Sequence, residues 1–345
     1  MAIIRILLLP FAALYHLITT VRNRLYDLKL KPSVRFDLPV IGVGNLAVGG
    51  TGKTPMIEHL IRTFQPEYAI ATLSRGYGRA TKGVRIANGH DTASTLGDEP
   101  FQLYKKFGQK VIVAVGEERA LAIPHILDQF PTTQIILLDD AFQHRAVTPS
   151  MNIMLTDHNN LFYRDFLMPA GRLRESRNGA QRADVIVVTK CPHDISEERM
   201  MEVEVSIRKL TSRPVFFTKV RYGDPVSIGK PQALDGTVVL LSGIANHKPL
   251  EEFVATNYKL MKRVTYADHH VYTQADVRGL LNIVTAHPDW CIVTTEKDKV
   301  KLEAPEFREL VARIPLFYLP IEIEFIKNGK DFDEMVLNGI RHAHK

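Results

Sequence analysis

The chain opens on a long apolar run, "MAIIRILLLPFAALYHLITT", before its first dense group of charges. At about 1.5 Å per residue, a helix over this run would just cross the roughly 30 Å hydrocarbon core of a bilayer. Three features argue against a simple spanning segment. Arg5 and His16 interrupt the run, Pro10 sits inside it, and the smaller or more polar residues form a stripe. Arg5, Ala12, His16, Thr19 and Asn23 recur at spacings of 7, 4, 3 and 4, one face of a helix, while leucines, isoleucines and Phe11 cover the rest. Arg22, Arg24, Lys29, Lys31 and Arg35 follow, against Asp27 alone. An apolar helix with such a cationic collar lies in, or dips into, an anionic membrane face from the cytoplasmic side. The pattern predicts a membrane-associating helix and linker over residues 1–35. A helix packed on the protein core is the other reading of the same run. A signal peptide fits less well, because no small-x-small cleavage site follows.

Beyond residue 35, short apolar runs alternate with helical stretches. Val40–Val43, Ala69–Leu73, Val111–Val115, Ile135–Leu138, Ile153–Thr156, Val185–Thr189, Val238–Ser242, Cys291–Thr294 and Leu316–Ile323 read as strands. Most are apolar on consecutive positions and rich in Val and Ile, as strands buried on both faces of a parallel sheet are. Pro55–Phe64, Arg119–Phe130 and Glu197–Leu210 read as helices between them. This alternation predicts an α/β fold, a doubly wound and mostly parallel sheet. "YGDPVSIGKPQALDG", Tyr222–Gly236, is rich in Gly and Pro and lacks a strong period, so it marks a boundary. The units expected are 36–225 and a smaller α/β domain, 226–345.

Composition narrows the class without choosing a function. The 345 residues, 45% apolar and 24% charged, suit a globular protein of two ordinary domains. Cys191 and Cys291 stand far apart with no C-x-x-C spacing, which argues against a disulfide scaffold and fits a reducing cytosol. The net charge of +6 favours an anionic partner: a nucleotide, a nucleic acid or an acidic membrane surface. No aromatic-interleaved basic stripe, helix-turn-helix or finger spacing supports the nucleic acid.

The clearest chemical signal is "GNLAVGGTGKTP", Gly44–Pro55, between a strand and a helix. Gly49, Gly50, Thr51 and Gly52 form a turn whose backbone N–H groups, with the positive end of the helix, suit phosphate oxygens. Lys53 would reach the β- and γ-phosphates of a nucleotide, and the Thr54 hydroxyl would ligate Mg²⁺. The fold expected is therefore like that of P-loop NTPases. Ala47 replaces the glycine that usually opens this pattern, a departure that the remaining glycines tolerate.

Other candidates cluster after strands. "QIILLDDAFQHR" carries Asp139 and Asp140 at the end of a strand, where ligands bind in open α/β sheets. Adjacent carboxylates repel unless a cation is shared, which points to a metal, though either Asp would also serve as a cap. His144 nearby is a phosphate contact or a packed histidine. "LSRGYGRATKG" offers Arg75 and Arg79 on a flexible loop, suited to gripping phosphate or simply to solvent. "TLGDEP" places Asp98 in a loop, eligible as a general base or an ordinary turn Asp. "MPAGRLRES" holds Arg172, Arg174 and Glu175 in a bent loop suited to an anionic substrate. "YADHHVYT" brings Asp268, His269 and His270 together, favouring a proton relay over a metal site, since three adjacent residues converge poorly on one ion. "VTTEKDKVKL" is similar to a base-reading loop, with a plain surface charge run as its alternative.

Taken in order behind the apolar helix, "GNLAVGGTGKTP", "LSRGYGR", "GDEP", "DDAFQH", "PAGRLRE", "DHH" and "TTEKD" resemble the tetraacyldisaccharide 4′-kinase family, the lipid A 4′-kinases of Gram-negative bacteria. The resemblance runs from the first helix to about Leu302. It implies an ATP- and Mg²⁺-dependent kinase acting on the 4′-hydroxyl of a membrane-embedded tetraacyl disaccharide 1-phosphate, at the cytoplasmic face of the inner membrane. It also implies roles. Lys53 and Thr54 serve the phosphates and Mg²⁺, Asp139 and Asp140 organise the metal, and His144 sits near the phosphates. Asp98 is the catalytic carboxylate, assisted by His269 in preference to His270, and Glu175 shares the metal cleft. Where the family often has "PAGPLRE", Arg172 stands between Gly171 and Leu173. A membrane-associated P-loop ATPase of regulatory or partitioning type is the alternative.

Overall fold

The computed structural model describes residues 2–234, 236–268 and 270–343. His269 lies outside the described residues. Nine strands form the larger sheet, in the spatial order Ile321–Phe325, Val215–Tyr222, Val185–Thr189, Met151–Asp157, Val40–Asn45, Ile135–Asp139, Ile70–Ser74, Ile112–Val115 and Arg85–Ile86. Every pairing in its interior is parallel, and only the two edge strands run antiparallel to their neighbours. Val40–Asn45, Ile135–Asp139 and Val185–Thr189 are buried at every position, so an alternating pattern would have failed there.

Alternate residues of these strands enter different cores. Ile41, Val43, Ile135 and Leu137 pack with the phosphate-loop helix Lys53–Phe64 and the last helix, Gly329–Ala343. Val40, Ile136 and Leu138 pack with the helix Arg119–Gln129. Val188 and Ile186 pack with the helix Glu197–Arg208. The sheet is doubly wound, as the strand and helix alternation predicts.

A second sheet of five strands runs Lys259–Thr265, Thr237–Ser242, Cys291–Thr295, Leu316–Leu319 and Val226–Ser227, all parallel except the short last one. Its boundary differs from the expected 226–345. The run read as one strand, Leu316–Ile323, is cut at Pro320, which has no N–H for a ladder. Leu316–Leu319 stays in the small sheet, whereas Ile321–Phe325 pairs with Val215–Tyr222 in the large one. The helix that follows buries Phe332, Val336 and Ile340 in the core of the first unit. The second unit is thus an insertion, and the chain returns to the first to end.

The N-terminal helix, Ala2–Asp27, runs through Pro10 without ending. Over Ile4–Asp27 it is long and apolar enough to cross a membrane by length and composition, and only 11% of its apolar stretch is buried. The polar stripe is the side that docks. Ala12 and Thr19 are buried, the Arg5 guanidinium lies 5.1 Å from the centre of the Phe166 ring, and Asn23 bonds Glu175. Leu7, Phe11, Leu14 and Ile18 remain exposed. A core helix would show the opposite arrangement, so that reading falls.

Phe332 is fully buried in the core shared with the phosphate-loop helix. Phe332→Ala should cost about 3–5 kcal/mol of stability. Urea unfolding followed on the first unit would show a shifted midpoint; an unchanged midpoint would mean that the last helix is a detachable appendage.

Candidate active site

The phosphate loop leaves the end of Val40–Asn45, where the sheet's strand ends converge. Gly49 and Gly52 take left-handed backbone conformations, φ 110° and 83°, which side-chain-bearing residues rarely adopt. Gly52 directly precedes the helix Lys53–Phe64, so that helix's free N–H groups face the loop. Ala47 has a different job from the glycine it replaces. It pairs with Leu173 as an isolated antiparallel bridge, and the Val48 N–H donates to the Arg172 carbonyl at 2.8 Å. Residue 47 is extended backbone, which alanine adopts freely.

The loop is held from below. Asn45 Nδ2 donates to Thr51 Oγ1 at 2.8 Å, and the Thr189 hydroxyl donates to the Thr51 carbonyl at 2.9 Å. The Lys190 ammonium bonds the Gly50 carbonyl and pairs with Asp157 at 3.1 Å. Sequence reading missed Asn45, Thr189 and Lys190. The signal for the last two was their place at the end of a parallel strand beside the loop.

The two aspartates are electrostatically unlike. Asp139 ends its strand fully buried, and its Oδ1 has no hydrogen-bond partner. Burial, helped by the Glu99 carboxylate, pushes its carboxyl up to about 7. Asp140 turns the chain at φ 50°. Burial acts against its charge too, but Arg174 and Lys53 outweigh it and hold the carboxyl well below the usual range. Arg174 donates to both Asp140 oxygens, at 3.0 and 2.7 Å, and Lys53 Nζ lies 3.6 Å away. A buried carboxylate oxygen with no donor, next to the phosphate loop, suits a cation that brings its own waters and phosphates. Among the described residues no three His, Cys, Asp or Glu side chains form a closed metal cage, and Mg²⁺ at such a site does not need one.

Arg119 was not anticipated as a site residue. It begins the helix after Ile112–Val115, is buried, and its Nε and Nη2 have no partner. Burial works against its charge, and Asp139 and Asp140 offset this. Its Nη1 donates to the nearby Gly116 and Glu117 carbonyls at 2.8 and 3.2 Å, but Asp139 and Asp140, the carboxylates that tie it to the site, are distant in sequence. His144 faces the same charges. Burial, with Arg119 and Arg75 near it, pulls the imidazole down to about 4, so it is neutral at pH 7. Arg75 is exposed at the mouth of this cluster.

Several expected roles are corrected. Arg79 is turned to Glu117 and to the Gly83 carbonyl, bracing its own loop instead of meeting substrate. Glu175 is buried with both oxygens engaged: Oε1 accepts from Gln143 and Arg182 at 2.9 and 2.8 Å, Oε2 from Asn23 and Arg182 at 2.7 and 2.9 Å. It fastens the N-terminal helix and leaves no lone pair aimed at a metal. Arg172 is exposed and braces the phosphate loop only through its carbonyl. Asp98 is the first residue of a helix, Asp98–Phe107, not a loop residue. Gly97 before it packs against the arginine loop so tightly that a Cβ there would lie 2.9 Å from the Tyr77 carbonyl oxygen.

In the "DHH" stretch, His270 stacks on Tyr266, ring centres 4.1 Å apart, and its Nε2 lies 3.2 Å from Asp276. That partnership ties the ring to the helix Gln274–Ala286. The "TTEKD" segment is no plain surface charge run, for it leads into the helix Glu296–Leu302 with Glu296 and Asp298 buried. Asp298 is fully buried and accepts from the Gly243 N–H, the Thr295 hydroxyl and the Tyr272 hydroxyl.

The His144 environment makes a pH prediction. Unfolded histidine titrates near 6.5, and in the folded chain the value is about 4. As pH falls through this window the unfolded chain binds the proton first, so the folded state loses stability; above about 6.5 neither state is charged and the effect vanishes. Urea unfolding at pH values between 6.5 and 4.5 should show His144→Asn losing less stability than the parent chain. Equal losses would contradict the assigned environment.

The profile of the tetraacyldisaccharide-1-P 4'-kinase family matches residues 4–341. A tetraacyldisaccharide 4'-kinase of Flavobacterium johnsoniae is 43% identical over 346 residues, covering 99% of this chain and 98% of that relative. One of Bacteroides thetaiotaomicron is 38% identical, covering 97% and 93%. A crystal structure of LpxK from Aquifex aeolicus in complex with ATP superposes with a TM-score of 0.77 at 26% identity, covering 98% of this chain and 99% of that one. With its phosphate loop, paired aspartates and docked apolar helix in one arrangement, the chain belongs to the tetraacyldisaccharide-1-P 4'-kinase family.

Proposed function

We propose that this protein transfers the γ-phosphate of ATP to the 4′-hydroxyl of a tetraacylated glucosamine disaccharide 1-phosphate at the cytoplasmic face of the inner membrane. The observation that carries this reading is the fastening of the exposed apolar helix to the phosphate site itself. Tyr15 on that helix donates its hydroxyl to the Arg174 carbonyl at 2.9 Å, and Arg174 grips Asp140. Asn23 bonds Glu175, and Arg22 bonds the Gln143 carbonyl. A membrane-bound helix and a nucleotide site so joined serve an acceptor that cannot leave the bilayer. Each exposed methylene costs about 0.8 kcal/mol, and a four-chain lipid has many.

Phosphoryl transfer needs positioning and charge neutralisation more than covalent chemistry. The loop N–H groups and Lys53 bind and orient the phosphates. Thr54, Asp139 and Asp140 are the residues that would hold Mg²⁺, which neutralises phosphate charge when bound. Arg119 and Arg75 add cationic character beside the aspartates and His144, and neutral His144 adds a polar group without charge. Asp98 is the general base that takes the acceptor hydroxyl proton. The exposed Arg172 is a contact for the anionic headgroup.

Transfer of labelled γ-phosphate to a tetraacyl disaccharide monophosphate in mixed micelles, with and without Mg²⁺, tests the activity. Hydrolysis of ATP with no phosphorylated lipid would favour a regulatory ATPase instead. Asp98→Ala should retain ATP binding and lose about 10²–10⁴-fold in turnover; normal turnover would remove it from the base role. Leu7→Asp, Phe11→Asp and Leu14→Asp together alter only exposed positions. The triple variant should fold normally yet no longer sediment with anionic vesicles. Unimpaired sedimentation would sink the docking role of the helix.

A further inference from the structure

Lys301 belongs to none of the groups that hold the phosphates, yet its ammonium stands between two segments that carry chemistry. Its Nζ lies 3.3 Å from Asp98 Oδ2 and donates to the backbone carbonyl of His270 at 3.1 Å. Only a tenth of its side chain is exposed, so water screens this pair little. Lys301 projects from the helix Glu296–Leu302 of the inserted unit, while Asp98 opens a helix of the first unit. The backbone that carries Lys301 is itself anchored, because buried Asp298 one turn earlier accepts three hydrogen bonds. Two further ion pairs cross the same junction: Lys297 with Glu99 at 3.3 Å and Lys106 with Glu296 at 2.7 Å. Neither of those touches Asp98 or the His270 carbonyl.

We propose that Lys301 is a positioning residue for phosphoryl transfer, holding the Asp98 carboxylate and the backbone at His270 in fixed register across the junction of the two units. This deepens the reading of Asp98 as general base and rests on it. A carboxylate at the first position of a helix needs partners to hold one rotamer, and the ammonium is one of them. A base must stay within hydrogen-bond reach of one hydroxyl, and small misplacements cost rate steeply. The ammonium helps to hold that rotamer, and by holding the His270 carbonyl it also fixes the backbone there. None of the bonds that shape the phosphate loop involves Lys301, so its loss falls on turnover and not on nucleotide binding.

The test is steady-state transfer to the tetraacyl disaccharide monophosphate with saturating lipid and varied ATP. Lys301→Met should lower kcat by about 10- to 100-fold and leave the KM for ATP within about twofold. Lys301→Arg, which keeps the charge, should restore most of the loss, and Lys297→Met should stay near the parent rate. In the Asp98→Asn background, Lys301→Met should cause no further loss, whereas a general structural defect would multiply with it. Should Lys301→Met fail to fold, Lys301→Gln, which keeps a donor for His270, carries the same expectations. Parental kcat in these variants, a rise in the KM for ATP alone, or multiplicative losses in the double variant would overturn the proposal. If Asp98→Asn itself turns over normally, the base reading fails first, and that result is read separately from the Lys301 series.

Discussion

The fork between Arg174 and Asp140 is the contact on which the rest of the molecule turns. The same guanidinium reaches the Asn45 side chain, and Asn45 bonds Thr51 inside the phosphate loop. The Arg174 backbone N–H donates to the Leu46 carbonyl at 2.7 Å, and its carbonyl accepts the Tyr15 hydroxyl. One residue therefore sets the rotamer of a metal-side carboxylate, the root of the nucleotide loop and the seat of the apolar helix. Only a planar, many-donor cation can do this; a lysine would supply the charge without the fork. The left-handed backbone of Asp140 costs on the order of 1–3 kcal/mol, and such a conformation persists only where its surroundings over-determine it.

That fork also explains how two neighbouring carboxylates share one strand end. Asp140 spends its charge on Arg174 and Lys53, within the protein. Asp139 is buried with one oxygen unpaired, and burial works against its charge. The pair is asymmetric by construction: Asp140 is gripped by cationic side chains, and Asp139 has an oxygen without a donor.

Much of this was legible in the chain, for identifiable reasons. Buried parallel strands advertise themselves as unbroken Val and Ile runs, and the phosphate loop by its glycines. The polar stripe of the first helix was visible as a period. Its direction, polar inward and apolar outward, follows from Asn23 meeting Glu175 and from Thr19 returning its hydroxyl to its own helix, which lets it be buried. Other features depended on residues far away in sequence. Glu175 read as one more cleft carboxylate, and only the fold shows its donors arriving from residues 23, 143 and 182. Arg119 offered no local sign at all. Asp98 looked like a loop residue because Pro100 follows it, although proline suits the first turn of a helix. Pro320 was readable as punctuation, but not as the point where one apolar run is divided between two sheets.

That division has a mechanical consequence. The Gly223 N–H donates to the Pro320 carbonyl at 2.9 Å, so the inserted unit leaves and re-enters the large sheet at almost the same place. Its ends are held together by adjacent strands, Val215–Tyr222 and Ile321–Phe325. The roughly one hundred residues between them behave as a closed loop whose end-joining entropy has already been settled by the larger sheet. A unit joined through a single doubled stem takes the rest of its hold on the larger unit from side-chain contacts. The salt bridges at Glu99, Asp98 and Lys106 supply that hold, fastening the helix Glu296–Leu302 to the helix Asp98–Phe107.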